Sequence, residues 1–251
     1  MINEKKSRRF EPAQRTLLHQ EVVAVIFRSL LEGRIKPGER LVEDDIAEEL
    51  GVSRSPVRRA LVEMDRMGVV DLVPRKGARI KSWSVAEIID FWRFRVLIEG
   101  LAAEQAAERA TSDEIERLGQ IMHYLQDAVH NDQIERIAEL DLDFHKLIVQ
   151  ASRNSSVIAS YESMVLRIQI FMIVEKHFYR SEVAYIDSLE RHWQVFNAIK
   201  TGDANLARSM IEKHIEETVE ALINRMKDIS EPGGTQSIIE TILSNDLMPQ
   251  L

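Results

Sequence analysis

Four residues in the second half of the chain have the types and the spacing of a metal site. Asp141 and His145 lie four residues apart, which on a helix places both side chains on one face, one turn apart. His192 and His214 each fall on the apolar stripe of their own predicted helix. A buried imidazole needs a partner, and imidazole with carboxylate suits zinc, nickel, iron or manganese. The pattern indicates either one shared metal site or separate core histidines, and periodicity alone does not decide between them.

The composition is that of a globular protein, with 45% hydrophobic and 29% charged residues among 251, enough for one large domain or two ordinary ones. No apolar run approaches the roughly 18 residues of a membrane helix. The basic start lacks the apolar stretch of a secretory signal. A cytoplasmic protein without membrane contact is therefore expected. The absence of cysteine excludes disulfides and thiolate ligands, which leaves His, Asp and Glu to hold a metal.

The net charge of −8 conceals an uneven distribution. Residues 1–81 carry 17 lysines and arginines against 13 acidic residues, whereas the remainder carries 16 against 28. A basic N-terminal region followed by an acidic remainder indicates that the N-terminal region binds a polyanion.

The front of the chain has the element order of a winged helix-turn-helix. Gly, Pro and Ser break the apolar pattern at the element ends, and Ser53 or Ser55 is suited to cap the third helix, with Pro56 in its first turn. Helices are predicted over residues 14–32, 43–50 and 55–67, and strands over residues 69–73 and 78–80.

The third of these helices has arginines where a DNA-reading helix needs them. The second helix of a helix-turn-helix pair enters the major groove, and arginines near its N-terminus reach guanine edges or phosphates. Arg54 and Arg58 lie one turn apart at that position, and the basic tip Pro74-Arg75-Lys76-Gly77 joins the two strands. The alternative is a solvated basic face with a hairpin that only caps the core.

The segment GVSRSPVRRAL is close to the signature of a known family, and residues 16–81 resemble the winged-helix domain of GntR-type bacterial transcription regulators. The segments DFWRFRVLIEGLAAEQAA, DLDFH and ERHWQVFNAIKTGD are similar to the FCD-type effector domain of its FadR subfamily, and six predicted helices resemble its VanR-like group. The resemblance implies a mainly α fold. Residues 1–81 would form a winged helix-turn-helix, residues 82–230 an antiparallel helical bundle for effector binding and dimerisation, and residues 231–251 a tail.

The resemblance also assigns contacts with DNA. Arginines of the third helix would read the groove, serines would bind phosphate, and the hairpin tip would lie by the minor groove. Two positions depart from the family: Asp44 stands where many relatives carry a phosphate contact, and Arg59 replaces the usual glutamate. The operator sequence of a relative is therefore not expected to be the operator sequence of this chain. The implied DNA contacts are Ser53, Arg54, Ser55, Arg58, Arg59, Arg75, Lys76 and Gly77.

In the helical part, the resemblance implies a metal site, and this chain has a suitable residue at each of its four ligand positions. The implied ligands of the divalent ion are Asp141, His145, His192 and His214. Zinc is expected, with nickel, manganese and iron as alternatives. Positions left open on the ion would accept a small carboxylate metabolite.

Arg95, Glu99 and Arg167 are the implied effector-binding residues. In the resembling domains an arginine at the place of Arg95 faces the effector pocket and binds a carboxylate in a bidentate manner, through two nitrogens of its guanidinium. The alternative for Arg95 is an ion pair with Glu99, four residues later on the same helix.

The expected function is that of a homodimeric regulator that reads a palindromic double-stranded operator and responds to the bound metabolite. One alternative is a regulator for which the metal ion itself is the effector. A metal-dependent hydrolase is a further alternative, but the motifs offer no HExxH-like general base, and no enzymatic activity is expected.

Overall fold

A computed structural model describes residues 15–31, 34–36, 38–74, 77–178 and 182–229. The chain divides into two compact units, Met1–Lys81 (the N-terminal unit) and Ser82–Leu251 (the helical unit). The expected mainly α fold is confirmed, with a helix-turn-helix first and a helical domain second. The predicted tail and the hairpin residues Arg75 and Lys76 lie outside the described residues.

The N-terminal unit has the predicted helices and hairpin, together with one short strand that the sequence patterns missed. In its sheet, β3 lies between β1 and β2 and is antiparallel to both. A strand of two residues is too short to show an alternating pattern, which is why β1 escaped prediction. The elements are α1 (Arg15–Leu31), β1 (Arg40–Leu41), α2 (Glu43–Glu49), α3 (Arg54–Arg66), β2 (Val70–Val73) and β3 (Gly77–Ile80).

The core of this unit is formed where α3 packs on α1. Val57, Leu61 and Met64 follow three- and four-residue steps on α3 and are fully buried. The chain turns between α2 and α3 at Gly51, whose φ of 64° lies in the left-handed region that favours glycine. The opposite face of α3 is thereby left to solvent.

Gly77 has a structural reason of its own for being glycine. Its φ is 87°, and a Cβ at this position would overlap with the carbonyl oxygen of Leu41 on the neighbouring strand β1. The sequence pattern explains this glycine by the approach of the hairpin tip to DNA. The pairing of β1 with β3 requires it independently of DNA.

The helical unit contains, among its described residues, the six helices that the apolar spacing predicts over residues 84–110, 113–130, 132–152, 155–179, 182–200 and 203–228, each end within two residues of the prediction. Capping boxes begin two of them, formed by Ser84 with Glu87 and by Thr111 with Glu114. The helices are α4 (Val85–Arg109), α5 (Ser112–His130), α6 (Ile134–Ala151), α7 (Ser155–Phe178), α8 (Glu182–Thr201) and α9 (Ala204–Ile229).

Helix α4 is the central element of the helical unit, because it packs against α6, α7, α8 and α9. It packs most extensively against α9, where a Cβ on Gly100 would overlap with the side chain of Glu212. Side chains on α4 are therefore placed to reach residues of several other helices. None of the helices that the structure describes has the length and apolarity needed to span a membrane.

Candidate metal centre and nucleic-acid interface

Three helices bring the four predicted ligands together. Asp141 and His145 lie on α6, His192 on α8 and His214 on α9, and one ligand atom from each lies within 4.8 Å of all the others. The three histidines are between 1% and 4% exposed, whereas the Asp141 side chain keeps 19% exposure. Convergence, which periodicity alone left open, is thus a property of the fold.

Hydrogen bonds orient two of the three imidazole rings. Nδ1 of His192 donates to the backbone carbonyl of Ser188, one turn earlier on α8, at 2.7 Å. Nδ1 of His145 bonds to the carboxylate of Glu99 on α4. Because a carbonyl or an ionised carboxylate only accepts, Nδ1 carries a proton in both residues. The neutral form of each ring therefore has its lone pair on Nε2, the nitrogen suited to bind a metal.

The inward nitrogens have no satisfactory protein partner. Nε2 of His145, Nε2 of His192 and Nδ1 of His214 are buried, and none makes a well-aligned hydrogen bond to a described residue. Nε2 of His192 comes within 2.9 Å of Asp141 Oδ1, and Nε2 of His145 lies 4.0 Å from Asp141 Oδ2. Leaving a buried polar atom unpaired costs about 1–3 kcal/mol. A divalent cation held by one atom of each of the four residues would supply the partner that Nε2 of His145 and Nε2 of His192 lack, so the residues present fit a metal ion.

The electrostatics of the cluster also suit a cation. Burial on its own raises the pKa of Asp141, but contact with His192 and electrostatic interaction with the other two imidazoles hold this pKa well below its usual value. Burial, followed by repulsion from His192 and His145, lowers the pKa of His214 well below its usual value. One carboxylate anion and a neutral imidazole are the protonation states that metal binding requires.

A small cleft between α5, α6 and α8 leads to this centre. Asp141 and His192 form part of its wall, together with apolar side chains of all three helices and with Tyr185 and Ser188 of α8. The cleft coincides with the partial exposure of Asp141, which makes that carboxylate the accessible ligand of the set.

The predicted effector residues Arg95 and Glu99 are paired with each other in the structure. Nε of Arg95 donates to Glu99, both residues are at most 3% exposed, and the guanidinium lies 4.7 Å from the centre of the Trp92 ring. Burial would raise the pKa of Glu99, but Arg95 and His145 lower it below its usual value. The ion pair, which is the alternative to an open effector contact, is the arrangement that the structure holds.

Arg167, the third predicted effector residue, is half-buried on α7. Its guanidinium lies 4.6 Å from the centre of the Phe91 ring, and its Nε is buried without a hydrogen-bond partner among the described residues. The hydroxyl of Tyr161, also on α7, is likewise buried without a hydrogen-bond partner among the described residues. Burial and the charge of Glu99 raise the pKa of this hydroxyl, so it keeps its proton and can donate. Sequence reasoning missed Tyr161, whose only signal is a hydroxyl on the apolar face of its helix.

In the N-terminal unit, α2, α3 and the hairpin surround a surface cleft that Arg40, Arg54, Arg58 and Gly77 help to line. Ser53, Ser55, Arg58 and Arg59 are exposed. Ser53 occupies the N-cap position of α3, but its side chain makes no capping hydrogen bond, contrary to one of the two capping alternatives above. The predicted DNA contacts that the structure describes therefore lie on the solvent side of α3 or at the hairpin.

Acidic residues of α2 hold the side chain of Arg54. Its Nε lies 2.8 Å from Oδ1 of Asp44, and its Nη2 lies 3.8 Å from Oε2 of Glu43. Sequence reasoning noted Asp44 only as a departure from a family pattern and missed this pair. Asp44 lies in the first turn of α2 and Arg54 begins α3, so the turn between the helices is what brings them together.

Comparison with known proteins gives consistent matches over both units. Residues 18–80 match the family described as bacterial regulatory proteins, gntR family, and residues 90–217 match the FCD domain. The chain is 24% identical over 208 residues to the HTH-type transcriptional repressor RspR of Escherichia coli (strain K12), which covers 82% of this chain and 89% of that protein. It is 26% identical over 208 residues to the HTH-type transcriptional regulator YdhC of Bacillus subtilis (strain 168), with 81% and 90% covered.

Two solved structures support the fold. Escherichia coli McbR/YncC superposes with a TM-score of 0.69 at 22% identity and covers 83% of this chain and 98% of its own. A GntR transcriptional regulator from Rhodococcus sp. RHA1 gives a TM-score of 0.65 at 18% identity, with 83% and 99% covered.

Proposed function

This chain belongs to the GntR family of bacterial regulatory proteins and carries an FCD domain, and from that premise we propose that a small carboxylate metabolite, bound at a metal ion in the helical unit, controls its affinity for an operator. The chain is a DNA-binding transcription regulator and not an enzyme. The observation that carries the proposal is the convergence of four ligand atoms, three of them on buried histidines.

Asp141, His145, His192 and His214 would hold the ion. We expect zinc, with nickel, manganese and iron as ions that the same oxygen and nitrogen ligands accept. An ion that takes five or six ligands keeps positions open beyond these four, and it would act there as a Lewis acid toward a carboxylate oxygen. The protein contributes the oriented rings of His145 and His192 and a carboxylate that is already ionised.

Donors without partners support an anionic effector. A carboxylate that leaves water needs hydrogen bonds or a cation in exchange. Tyr161 offers an unpaired hydroxyl close enough to Arg95, Glu99 and Asp141 for their charges to act on its pKa, and Arg167 offers an unpaired Nε. Arg95 is already neutralised by Glu99, so we assign the direct effector contact to Tyr161 and Arg167 before Arg95.

At the other end of the chain, α3 would enter the major groove of double-stranded DNA. Arg54 and Arg58 would reach base edges or phosphates, Ser53, Ser55 and Arg59 would contact phosphate, and Arg75, Lys76 and Gly77 would lie at the tip of the wing. The exposure of Ser53, Arg54, Ser55, Arg58 and Arg59 supports the assignment.

A palindromic operator calls for a homodimer. Phe94 and Leu97 lie on one face of α4 and are 45% and 60% exposed, and this pair of neighbouring apolar side chains suits burial against a second copy. The effector would regulate DNA binding by having different affinities for the DNA-competent and DNA-incompetent arrangements of the dimer.

The test is a binding measurement on an operator selected from a random DNA pool. Fluorescence anisotropy at fixed salt would give the Kd of the full chain for this DNA, with zinc loaded or chelated, across a panel of small mono- and dicarboxylates. We expect one class of carboxylate to change the Kd by roughly 5–150-fold, and only in the zinc-loaded protein. A response that persists after chelation contradicts the proposal. A full response to zinc without any carboxylate makes the ion itself the effector.

A further inference from the structure

Glu99 is a buried carboxylate outside the set of four ligands. It lies on α4, is 1% exposed, and belongs to the core of the helical unit. A buried charge is costly unless it is paired and hydrogen-bonded. Both oxygens of Glu99 are in use, since Oε1 accepts from Nε of Arg95 and Oε2 bonds to Nδ1 of His145. Glu99 therefore connects α4, which supplies no metal ligand, to one of the ligands on α6.

The contact with His145 determines which nitrogen of that ring is available. An ionised carboxylate accepts only, so it keeps the ring proton on Nδ1 and leaves the lone pair on Nε2, which is buried beside Asp141 without a hydrogen-bond partner among the described residues. His192 gains the same orientation from a backbone carbonyl of its own helix. His145 depends instead on a side chain from another helix, and this side chain is replaceable by mutation.

Arg95 and the packing of α4 hold Glu99 in place. The guanidinium of Arg95 lies between Glu99 and the face of Trp92, which is 1% exposed. The next residue after Glu99, Gly100, allows α4 to approach Glu212 on α9, the helix that carries His214. The bond from Arg95 and the burial of Glu99 hold this carboxylate toward His145.

We propose that Glu99 is a positioning residue of the metal centre, which fixes the tautomer and the orientation of His145 through its Nδ1 hydrogen bond while Arg95 holds Glu99. The proposal rests on the metal site proposed above. A carboxylate behind a ligating imidazole contributes 10–100-fold to metal affinity in general, and we expect the same range here. In this role Arg95 and Glu99 belong to the metal centre and do not contact the effector directly.

The test compares zinc affinity in the full-length wild type and in Glu99→Gln, measured by competition with a chelating dye. We expect the zinc Kd to rise about 10–100-fold in Glu99→Gln. The absorption spectrum of the cobalt-substituted protein should also change, because the geometry at His145 changes. Glu104→Gln is the matched control: this carboxylate is on the same helix, pairs with Arg208 at 2.8 Å, and should leave both readouts at wild-type values.

Because Glu99→Gln leaves Arg95 as a buried unpaired charge, the double variant Arg95→Gln/Glu99→Gln, which buries no charge at this point, serves as the second test. Circular dichroism of the metal-free protein would establish that it is folded. A raised zinc Kd in the folded double variant supports the positioning role. A wild-type Kd and an unchanged cobalt spectrum overturn it while leaving the metal site intact. Failure of the wild type itself to bind zinc or cobalt overturns the metal site, and this proposal with it.

Discussion

Nε2 of His192 lies 2.9 Å from Oδ1 of Asp141, although the two residues belong to different helices, α8 and α6. His214 approaches the same point from α9, with its ring centre 4.2 Å from that of His192. A cation at this point would join three helices of the unit. A ligand that binds only the folded state stabilises that state, so metal binding and the packing of the helical unit are expected to be coupled.

Arg58 is the most direct test of the DNA-reading surface. The residue is exposed on α3 and lines the cleft between α3 and the hairpin. Arg58→Ala is expected to weaken operator binding by about 1–3 kcal/mol and to relax specificity at one base position if the side chain contacts a base edge. A gel shift at physiological salt measures the change. Arg117→Ala, which removes an exposed arginine from α5, is the matched control, and equal affinities for the two variants would remove Arg58 from the reading surface.

Asp44 is expected to restrain Arg54 in the free protein. Asp44→Asn removes the charged partner of the guanidinium and a negative charge from the DNA-facing side, so affinity for non-operator DNA should rise and the ratio of operator to non-operator affinity should fall. An exposed ion pair contributes about 0–1 kcal/mol, which limits the change to roughly fivefold. Anisotropy titrations on both DNAs measure it. Asp71→Asn removes an equal charge from an exposed position on β2, and identical behaviour of the two variants would contradict the pairing role.

The apolar face of α4 gives a test of the proposed dimer. Leu97 is 60% exposed, and Leu97→Glu would place a charge where a second copy is expected to pack. Light scattering on a sizing column should show a mass of two 28.9 kDa chains for the wild type and a shift toward one chain for the variant at micromolar concentration. Tyr124→Glu, at a position 57% exposed on α5, should remain dimeric. A monomeric wild type would contradict the dimer, and a dimeric Leu97→Glu would place its interface elsewhere.

The capping box of α5 predicts a pH-dependent contribution to stability. Burial on its own raises the pKa of Glu114, but hydrogen bonds from Thr111 and Arg153 lower it below its usual value. A lowered folded-state pKa stabilises the fold above the unfolded pKa of about 4.3 and loses that effect as the pH falls through the folded value. Glu114→Gln should therefore reduce the free energy of unfolding by about 0.5–1 kcal/mol at pH 7 and by less at pH 3.

Urea titrations followed by circular dichroism at several pH values check this expectation. Glu116→Gln, an exposed carboxylate on the same helix, is the control for loss of charge. A difference between wild type and Glu114→Gln that stays constant from pH 7 to pH 3 would show that the ionised carboxylate is not the source of the stabilisation.

Local patterns predicted the elements, and tertiary packing decided the contacts between them. The spacing of apolar residues was sufficient for the six helices of the second unit, and the four-residue step from Asp141 to His145 was sufficient to place both on one face of α6. The bond from Glu99 to His145 joins α4 to α6, and no short-range pattern reports such a contact. The same applies to Asp44 and Arg54, which the turn between α2 and α3 brings together.

The glycine at position 77 shows how a correct residue can be given an incomplete reason. Its place in a basic hairpin suggested close approach to DNA, whereas its positive φ and the overlap that a Cβ would make with Leu41 follow from pairing with β1. Strand β1 has only two residues, which is too short for an alternating pattern to predict it. The sequence-based prediction therefore did not include the strand whose pairing explains the glycine.

The metal centre itself is tested most directly by the zinc that the full-length protein retains. Wild type, His192→Ala and His130→Ala would each be loaded with zinc, dialysed against metal-free buffer and analysed by plasma mass spectrometry. His130 is an exposed histidine at the end of α5, outside the cluster. We expect about one zinc per chain in wild type and His130→Ala and at least a tenfold loss of affinity in His192→Ala, since one of four ligands is gone. Equal zinc in all three proteins, or none in the wild type, would contradict a metal site built from Asp141, His145, His192 and His214.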